Sequence, residues 1–298
     1  TSPSVAGTYD LASLTGPSGG TLLTEAQSSL GSFVIGTKKM NFVGSSCTQG
    51  NTSIIRQASV SQEIIGVVVV TSGNLDPASI TSLTFSTNGS TNPSDITAAR
   101  AFYTGSSSSF DTTSQFGTNF PNPSGNFTIT GSQPLAEGSN YFWLAYDISL
   151  DAGDANLVDA ECSSLIFRGP EKSPSPQAPA GNRQVKAALS GAVTIGTSGA
   201  YPTLTGTGGL FEAINIAGLR GDLVASVTTS LAEPGTYELG EIYEIGGSDH
   251  HVTIKPDAAA MRVISGSYAG GLLRISGADR ITFDGNYGES GKYLNITN

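Results

Sequence analysis

The chain has 298 residues, a net charge of −10 and a charged fraction of only 13%. This acidic balance argues against nucleic acid as a partner, because no basic patch could neutralise phosphates, and equally against an anionic membrane surface. We expect no membrane insertion, since the longest apolar strand, Ile64–Val70, is short and interrupted by Gly66. Low charge with abundant Gly, Ser and Thr is typical of extracellular β proteins, so we expect a secreted, extracellular or cell-surface-attached protein.

Residues 1–39 contain short strand-like pieces but too little chain for a core of their own. The pieces are Gly7–Leu11, Thr21–Leu23 and Ser32–Ile35. We interpret the segment either as the trailing strands of a preceding β domain or as an N-terminal arm. In the first case the chain begins within a longer polypeptide.

Residues 40–188 are predicted to form an Ig-like β-sandwich. In Asn140–Leu150, apolar side chains alternate onto both faces around the single tryptophan, Trp143, which indicates a strand buried on two sides. Turn residues separate the predicted strands at the short intervals of a sandwich. These strands are Thr52–Ser59, Glu63–Thr71, Ile80–Thr87, Ala98–Thr104, Asn126–Thr130, Tyr141–Ile148, Ser164–Phe167 and a final short Arg183–Ala187. The proline-rich run Gly169–Gly181 is expected to be a linker or a long edge loop.

Residues 189–298 are predicted to begin a short right-handed parallel β-helix with an N-terminal capping helix at 209–219. Leu210, Ala213, Ile214 and Ala217 share one face of that helix. Short strands then recur at nearly even spacing. They are Leu223–Thr229, His251–Lys255, Met261–Ser265, Leu272–Ser276, Ile281–Asp284 and Tyr293–Thr297. A second sandwich has the same periodicity, but the helix favours the β-helix because a solenoid needs its open apolar end covered.

The two cysteines, Cys47 and Cys162, are far apart in sequence and fit no metal-ligand spacing. In an oxidising compartment they could form one disulfide, which would contribute roughly 3–5 kcal/mol of stability in the chain-entropy model. The alternative is a pair of unpaired buried thiols. We favour the disulfide.

Several phrases in residues 40–188 resemble the N-terminal domain associated with bacterial neuraminidase-repeat proteins, a β-sandwich module. They are QEIIGVVVVTSG (62–73), DITAARAFYTG (95–105), YFWLAYDIS (141–149), DAEC (159–162) and AGNRQV (180–185), with the step from Phe110 to Gln115-Phe116-Gly117. The resemblance covers about half of the chain. It implies an accessory module in a secreted protein and does not imply a chemistry.

Residues 192–298 look like the opening of the β-helix of secreted surface proteins from Bacteroidetes-type bacteria. The matching phrases are TIGTSGAYPTLTG (194–206), GLFEAIN (209–215) and GLLRISGADRITFDG (271–285). This resemblance implies an adhesin, a gliding-related filament or a stalk exported by the type 9 secretion route.

No part of the sequence contains a convincing set of catalytic residues. A sialidase needs clustered arginines, a tyrosine nucleophile, a nearby acid and repeated Ser-x-Asp-x-Gly-x-x-Trp boxes, and we find no such box. Asp279, Arg280 and Asp284 resemble a thin version of a lyase site or a calcium site. The alternative, which we favour, is that both aspartates end strands in turns, where Asp bonds its own backbone. We therefore predict no catalytic residues, no enzyme activity and no cofactor, with calcium left open.

The remaining candidates are polar or aromatic side chains. His250 and His251 are adjacent at a strand entry, so they point opposite ways and do not form a metal pair. The tyrosines that could stack on a sugar ring are Tyr103, Tyr268, Tyr287 and Tyr293.

Two functions follow from these observations. The first is a non-catalytic structural or adhesive segment of a large secreted bacterial cell-surface protein or extracellular filament. Its expected partners are neighbouring subunits or domains, joined by strand pairing, and surface glycans. The alternative is an accessory module of a carbohydrate-active enzyme, sialidase-like or a polysaccharide lyase, whose catalytic part lies outside this chain.

Overall fold

The computed structural model describes residues 38–247 and 249–298, so the strand-like pieces predicted within residues 1–37 lie outside it. The predicted fold class is confirmed: the protein is all-β with about 4% helix, and β-sandwich-like sheets precede a β-solenoid of about 3 turns. Among the described residues, no helix has the length and apolar character needed to cross a membrane.

The sandwich-like part contains the first twelve strands. They are β1 (Asn41–Thr48), β2 (Ile55–Arg56), β3 (Gln62–Ser72), β4 (Ser79–Ser86), β5 (Ile96–Gly105), β6 (Gln115–Pro121), β7 (Asn126–Pro134), β8 (Gly138–Ile148), β9 (Leu157–Val158), β10 (Glu161–Phe167), β11 (Glu171–Lys172) and β12 (Arg183–Lys186). One antiparallel sheet has the order β1-β3-β8-β5-β6, and a second has the order β11-β10-β4-β7. A small third sheet, β2-β12-β9, lies beside them.

Strand β8 lies in the middle of the five-stranded sheet, in agreement with the apolar character of both its faces. On one face Phe142 and Leu144 are fully buried in the sandwich core. On the other face Trp143 packs in a smaller cluster with Phe102 and Ala145. Gly66 lies opposite Trp143 on β3, and a Cβ there would come within 2.9 Å of the indole ring. The glycine that interrupts the apolar run therefore leaves room for the tryptophan.

One strand prediction in this part is wrong, and four strands were not predicted: β1, β6 and the two-residue strands β9 and β11. The chain is not a strand throughout Thr52–Ser59; the first strand is β1, and only the two residues of β2 are extended in the predicted range. Both β1 and β6 are edge strands with exposed positions, so the apolar alternation that reveals a central strand is weak in them.

The solenoid contains strands β13 (Leu189–Ile195), β14 (Leu219–Val227), β15 (Leu231–Glu233), β16 (Leu239–Gly240), β17 (Val252–Pro256), β18 (Arg262–Gly266), β19 (Ile275–Ser276), β20 (Ile281–Phe283) and β21 (Leu294–Thr297). They form three parallel sheets, β13-β14-β17-β20, β15-β18-β21 and β16-β19. Two coils, β14-β15-β16 and β17-β18-β19, contribute one strand to each sheet, whereas β20 and β21 contribute to only two of the sheets. Strands β13, β15 and β16 had not been predicted.

The helix α1 (Leu210–Ala217) covers the first coil, as expected for the capping segment at 209–219. Leu210, Phe211 and Ile214 are fully buried among the inward-facing residues of the coils. Gly218 ends the helix at φ 76°, and a Cβ there would come within 2.2 Å of the Tyr243 carbonyl oxygen. Only glycine fits this left-handed end against the neighbouring chain.

Candidate functional site

The sandwich and the solenoid are joined through the C-terminal end of α1. Arg56 donates from Nε to the carbonyl of Ile216 (2.7 Å) and from Nη2 to the carbonyl of Asn215 (2.8 Å). The last carbonyls of a helix have no partner within the helix, and a cation there also complements the helix dipole. The guanidinium carbon lies 5.0 Å from the centroid of the Tyr243 ring. Arg56 thus ties the sandwich to the helix and to the loop beside it.

A buried glutamine strengthens the same junction. Gln57 is 3% exposed; its Nε2 donates to the Ala152 carbonyl (2.6 Å) and its Oε1 accepts from the Ala188 N–H (3.0 Å). Ala188 lies in the short connection from β12 to β13, so its hydrogen bond with Gln57 holds the connection between the sandwich and the solenoid in place. A groove of about 690 Å³ opens beside the junction. Neither Arg56 nor Gln57 was predicted from the sequence, because a polar pair after Ile55 forms no motif.

Asp279 and Arg280 form a clamp on a neighbouring loop. Arg280 Nη1 donates to Asp279 Oδ2 (2.7 Å), and Nη2 donates to Glu244 Oε1 (3.0 Å). The Glu244 carboxylate also accepts from the backbone N–H groups of Asp249 (3.0 Å) and His250 (2.9 Å). Burial opposes ionisation of this carboxylate, but these hydrogen bonds and the Arg280 charge outweigh burial and lower the pKa of Glu244. The guanidinium N–H groups of Arg280 therefore donate to other residues of this chain and stabilise the loop.

Asp284 lies at the other end of β20, away from that clamp. It helps to line a cavity of about 260 Å³ on the outer face of the sheet β13-β14-β17-β20. The other lining residues are Ser226, Lys255, Pro256, Asp257, Asn286, Tyr287 and Gly288. We call this cavity the outer-face pocket. Asp279, Arg280 and Asp284, the weak candidates for a lyase or calcium site, are thus divided between two places.

Asp284 forms a turn of the kind expected from the sequence, since its Oδ1 accepts from the Asn286 N–H at 2.9 Å. Within the described ranges, no group of three or more His, Cys, Asp or Glu side chains could hold a metal ion. His250 and His251 have separate surroundings: the His250 ring approaches the Ile245 carbonyl (3.4 Å), whereas the His251 N–H donates to Asp222 (2.8 Å).

The four candidate tyrosines differ in what covers their rings. Tyr103 is half-buried against the sandwich core and donates to Asn140 Oδ1 (2.8 Å), and burial raises its pKa. Tyr268 lies under the Arg274 guanidinium, 4.6 Å from the ring centroid. Tyr293 is half-buried. Tyr287 is 48% exposed at the rim of the outer-face pocket, and no cation lies over its ring in the part of the chain that the structure describes.

The structure brings the two cysteines together across the sandwich. Cys47 lies on β1 and Cys162 on β10, and their backbone N–H groups donate to the carbonyls of consecutive residues, Pro176 (3.0 Å) and Gln177 (3.1 Å). Both are buried free thiols. A hydrogen bond with Cys47 and burial raise the pKa of the Cys162 thiol well above its ordinary value. The disulfide stays a prediction for an oxidising compartment.

Towards residue 298, two apolar side chains of the solenoid are more exposed than their stacked partners in the preceding coil. Ile264 on β18 is fully buried, whereas its stacked partner Ile296 on β21 is 43% exposed. In the same way Leu239 is fully buried and its partner Ile275 on β19 is 46% exposed. Strands β19, β20 and β21 are also edge strands of their three sheets. We call this surface the open end.

The fold and these sites define an all-β protein in which a sandwich-like part is joined to a parallel β-solenoid. No family model matches the chain, and no curated protein matches it. Among solved structures it is similar to the Hadza microbial sialidase Hz136, with 15% identity and a TM-score of 0.38, over 46% of this chain and 30% of the sialidase chain. The neuraminidase-repeat module and the type 9 secretion route therefore remain predictions from the sequence.

Proposed function

We propose that this chain is a non-catalytic structural and adhesive segment of a large secreted bacterial cell-surface protein or extracellular filament. The observation that carries this proposal is the in-register stacking of the coils, in which β17, β18 and β19 each pair in parallel with the corresponding strand of the preceding coil. A stacked solenoid buries each coil against the next, so the open end is complementary to another parallel coil or strand. Unpaired sheet edges supply the backbone donors and acceptors for that contact.

The junction at Arg56 supports a mechanical role. Two charge-assisted hydrogen bonds to helix carbonyls and the buried Gln57 contacts restrain the sandwich relative to the solenoid. A restrained junction passes force from one part to the next, as a stalk or filament segment must.

We expect copies of the chain to associate reversibly through the open end. Sedimentation velocity should show a mass that rises with concentration. Ile275→Lys and Ile296→Lys place charges on exposed side chains of this surface and should shift the protein to monomer without unfolding it. Val43→Lys is the matched control, because Val43 is 61% exposed on the sandwich, far from the open end in sequence. A monomer at every concentration, or equal association in all three variants, contradicts the proposal.

A second candidate function is an accessory module of a carbohydrate-active enzyme. The outer-face pocket favours it, because a small polar cavity beside an exposed tyrosine suits a sugar ring. The sedimentation experiment separates the two functions: an accessory module remains monomeric, whereas a filament segment associates.

A further inference from the structure

We propose that the outer-face pocket binds one neutral hexose unit of a polysaccharide. The inference deepens the second candidate function by naming the ligand of the pocket, and it depends on residues that the open end and the Arg56 junction do not use.

The pocket is built by the stacking of three coils. Ser226 on β14 pairs in register with Lys255 on β17. Asp284 follows β20 and continues this row, with its N–H donating to the Ile254 carbonyl at 2.9 Å. Neighbouring strands lie about 4.8 Å apart, so the row presents a hydroxyl, an ammonium and a carboxylate at that interval. Successive hydroxyl groups of a sugar ring lie closer together than this interval, so the row can contact alternate hydroxyl groups of one ring.

The charges in the pocket select against a charged ligand. Asp257 is neutralised by Arg262, whose Nη2 and Nε lie 2.6 Å and 2.9 Å from its Oδ1. Lys255 has no carboxylate within 4.0 Å in the described ranges, and Asp284 has no cation within that distance. The pocket therefore offers one unpaired cation and one unpaired anion. An anionic ligand is repelled by Asp284 and a cationic ligand by Lys255, whereas a neutral hydroxyl group can accept from the Lys255 ammonium and donate to the Asp284 carboxylate.

Size and shape indicate a single ring. The cavity of about 260 Å³ is smaller than the roughly 300–1,000 Å³ of pockets for drug-sized ligands. Tyr287 adds an uncovered aromatic face at the rim, and the apolar C–H face of a pyranose packs on such a ring. Lys255 and Ser226 donate to ring hydroxyls, Asp284 accepts from them, and Tyr287 covers the ring. No bond is made or broken.

The test is a titration of the full chain, followed by backbone amide NMR, with maltotriose, cellotriose and mannotriose as neutral probes and tri-galacturonate as the acidic probe. At least one neutral probe should shift amides within residues 253–257 and 282–288 and should bind more tightly than tri-galacturonate. Shifts confined to other residues, tighter binding of the acidic probe, or no binding by any neutral probe overturns the inference.

Variants assign the contacts. Lys255→Met, Asp284→Asn and Tyr287→Ala should each weaken binding about tenfold, because each removes one partner of the ring. Tyr287→Phe keeps the aromatic face and should bind like the parent chain. Asp279→Asn is the matched control, since it changes a carboxylate on the turn before β20 and should leave binding unchanged. Amide spectra that are unaltered outside the pocket show that each variant is folded. If Lys255→Met binds as tightly as the parent chain, the inference is overturned. If the chain associates through the open end but binds no sugar, the sugar-binding inference is refuted and the structural proposal is not.

Discussion

At the scale of single residues, Glu233 shows how a buried charge can organise a loop. Its carboxylate is 3% exposed and accepts from the N–H of Leu204 (2.7 Å) and from both the N–H and the hydroxyl of Thr205 (2.7 and 2.6 Å). A buried carboxylate is tolerated when such donors satisfy it. These bonds position the chain that leads into α1, and therefore the cap of the solenoid.

We expect Glu233→Ala to lower the free energy of unfolding by about 1–3 kcal/mol for each buried donor left without an acceptor. Glu233→Gln keeps one acceptor oxygen and should lose less. Denaturant unfolding followed by circular dichroism measures both changes. Glu289→Ala, at an exposed glutamate, is the control and should change stability little. A Glu233→Ala variant as stable as that control would show that the loop does not depend on the carboxylate.

At the scale of elements, the clamp of Arg280 on Glu244 connects the loop before β17 to the turn before β20. The lowered pKa of Glu244 means that the folded state favours its ionised form. Such a group contributes stability that is complete above the ordinary glutamate pKa and is lost as the pH falls through the lowered value. The loop should therefore keep its hydrogen bonds under mildly acidic conditions.

The amide NMR signals of Asp249 and His250 should report this titration, because both N–H groups donate to Glu244. We expect the midpoint of their shift change to lie below the ordinary glutamate pKa. Glu244→Gln cannot ionise and should abolish the change. A midpoint at or above the ordinary glutamate pKa would contradict the direction of the shift.

At the scale of the whole molecule, the Arg56 junction sets the arrangement of the sandwich relative to the solenoid. Arg56→Met keeps much of the apolar stem but removes the hydrogen bonds to Asn215 and Ile216. We expect a loss of about 1–3 kcal/mol of stability and a wider distribution of distances within the molecule in small-angle X-ray scattering.

Arg220→Met is the matched control at the same junction. Its partner Asp151 is largely exposed and lies 3.4 Å away, and exposed pairs contribute about 0–1 kcal/mol. Equal effects of the two substitutions would show that the hydrogen bonds to the helix carbonyls have no special role in the junction.

The sequence by itself determined the fold class and the central elements. Continuous apolar runs identified β3 and β8, and the apolar face of Leu210–Ala217 with its glycine end identified α1. These features were predictable because burial and backbone preference depend on residues that are neighbours in the sequence. The cysteines, the turn at Asp284 and the exposed Tyr287 were also recognisable as candidates.

Only the tertiary structure decided which of these residues meet. Edge strands such as β1, and the two- or three-residue strands β15 and β16, are held mainly by backbone hydrogen bonds that any sequence can make, so they leave little local pattern. Ser226, Lys255 and Asp284 form one pocket because three coils stack in register, and Arg56 reaches α1 from a strand more than a hundred residues earlier. Register and long-range contact depend on the packing of the whole chain, which no local periodicity encodes.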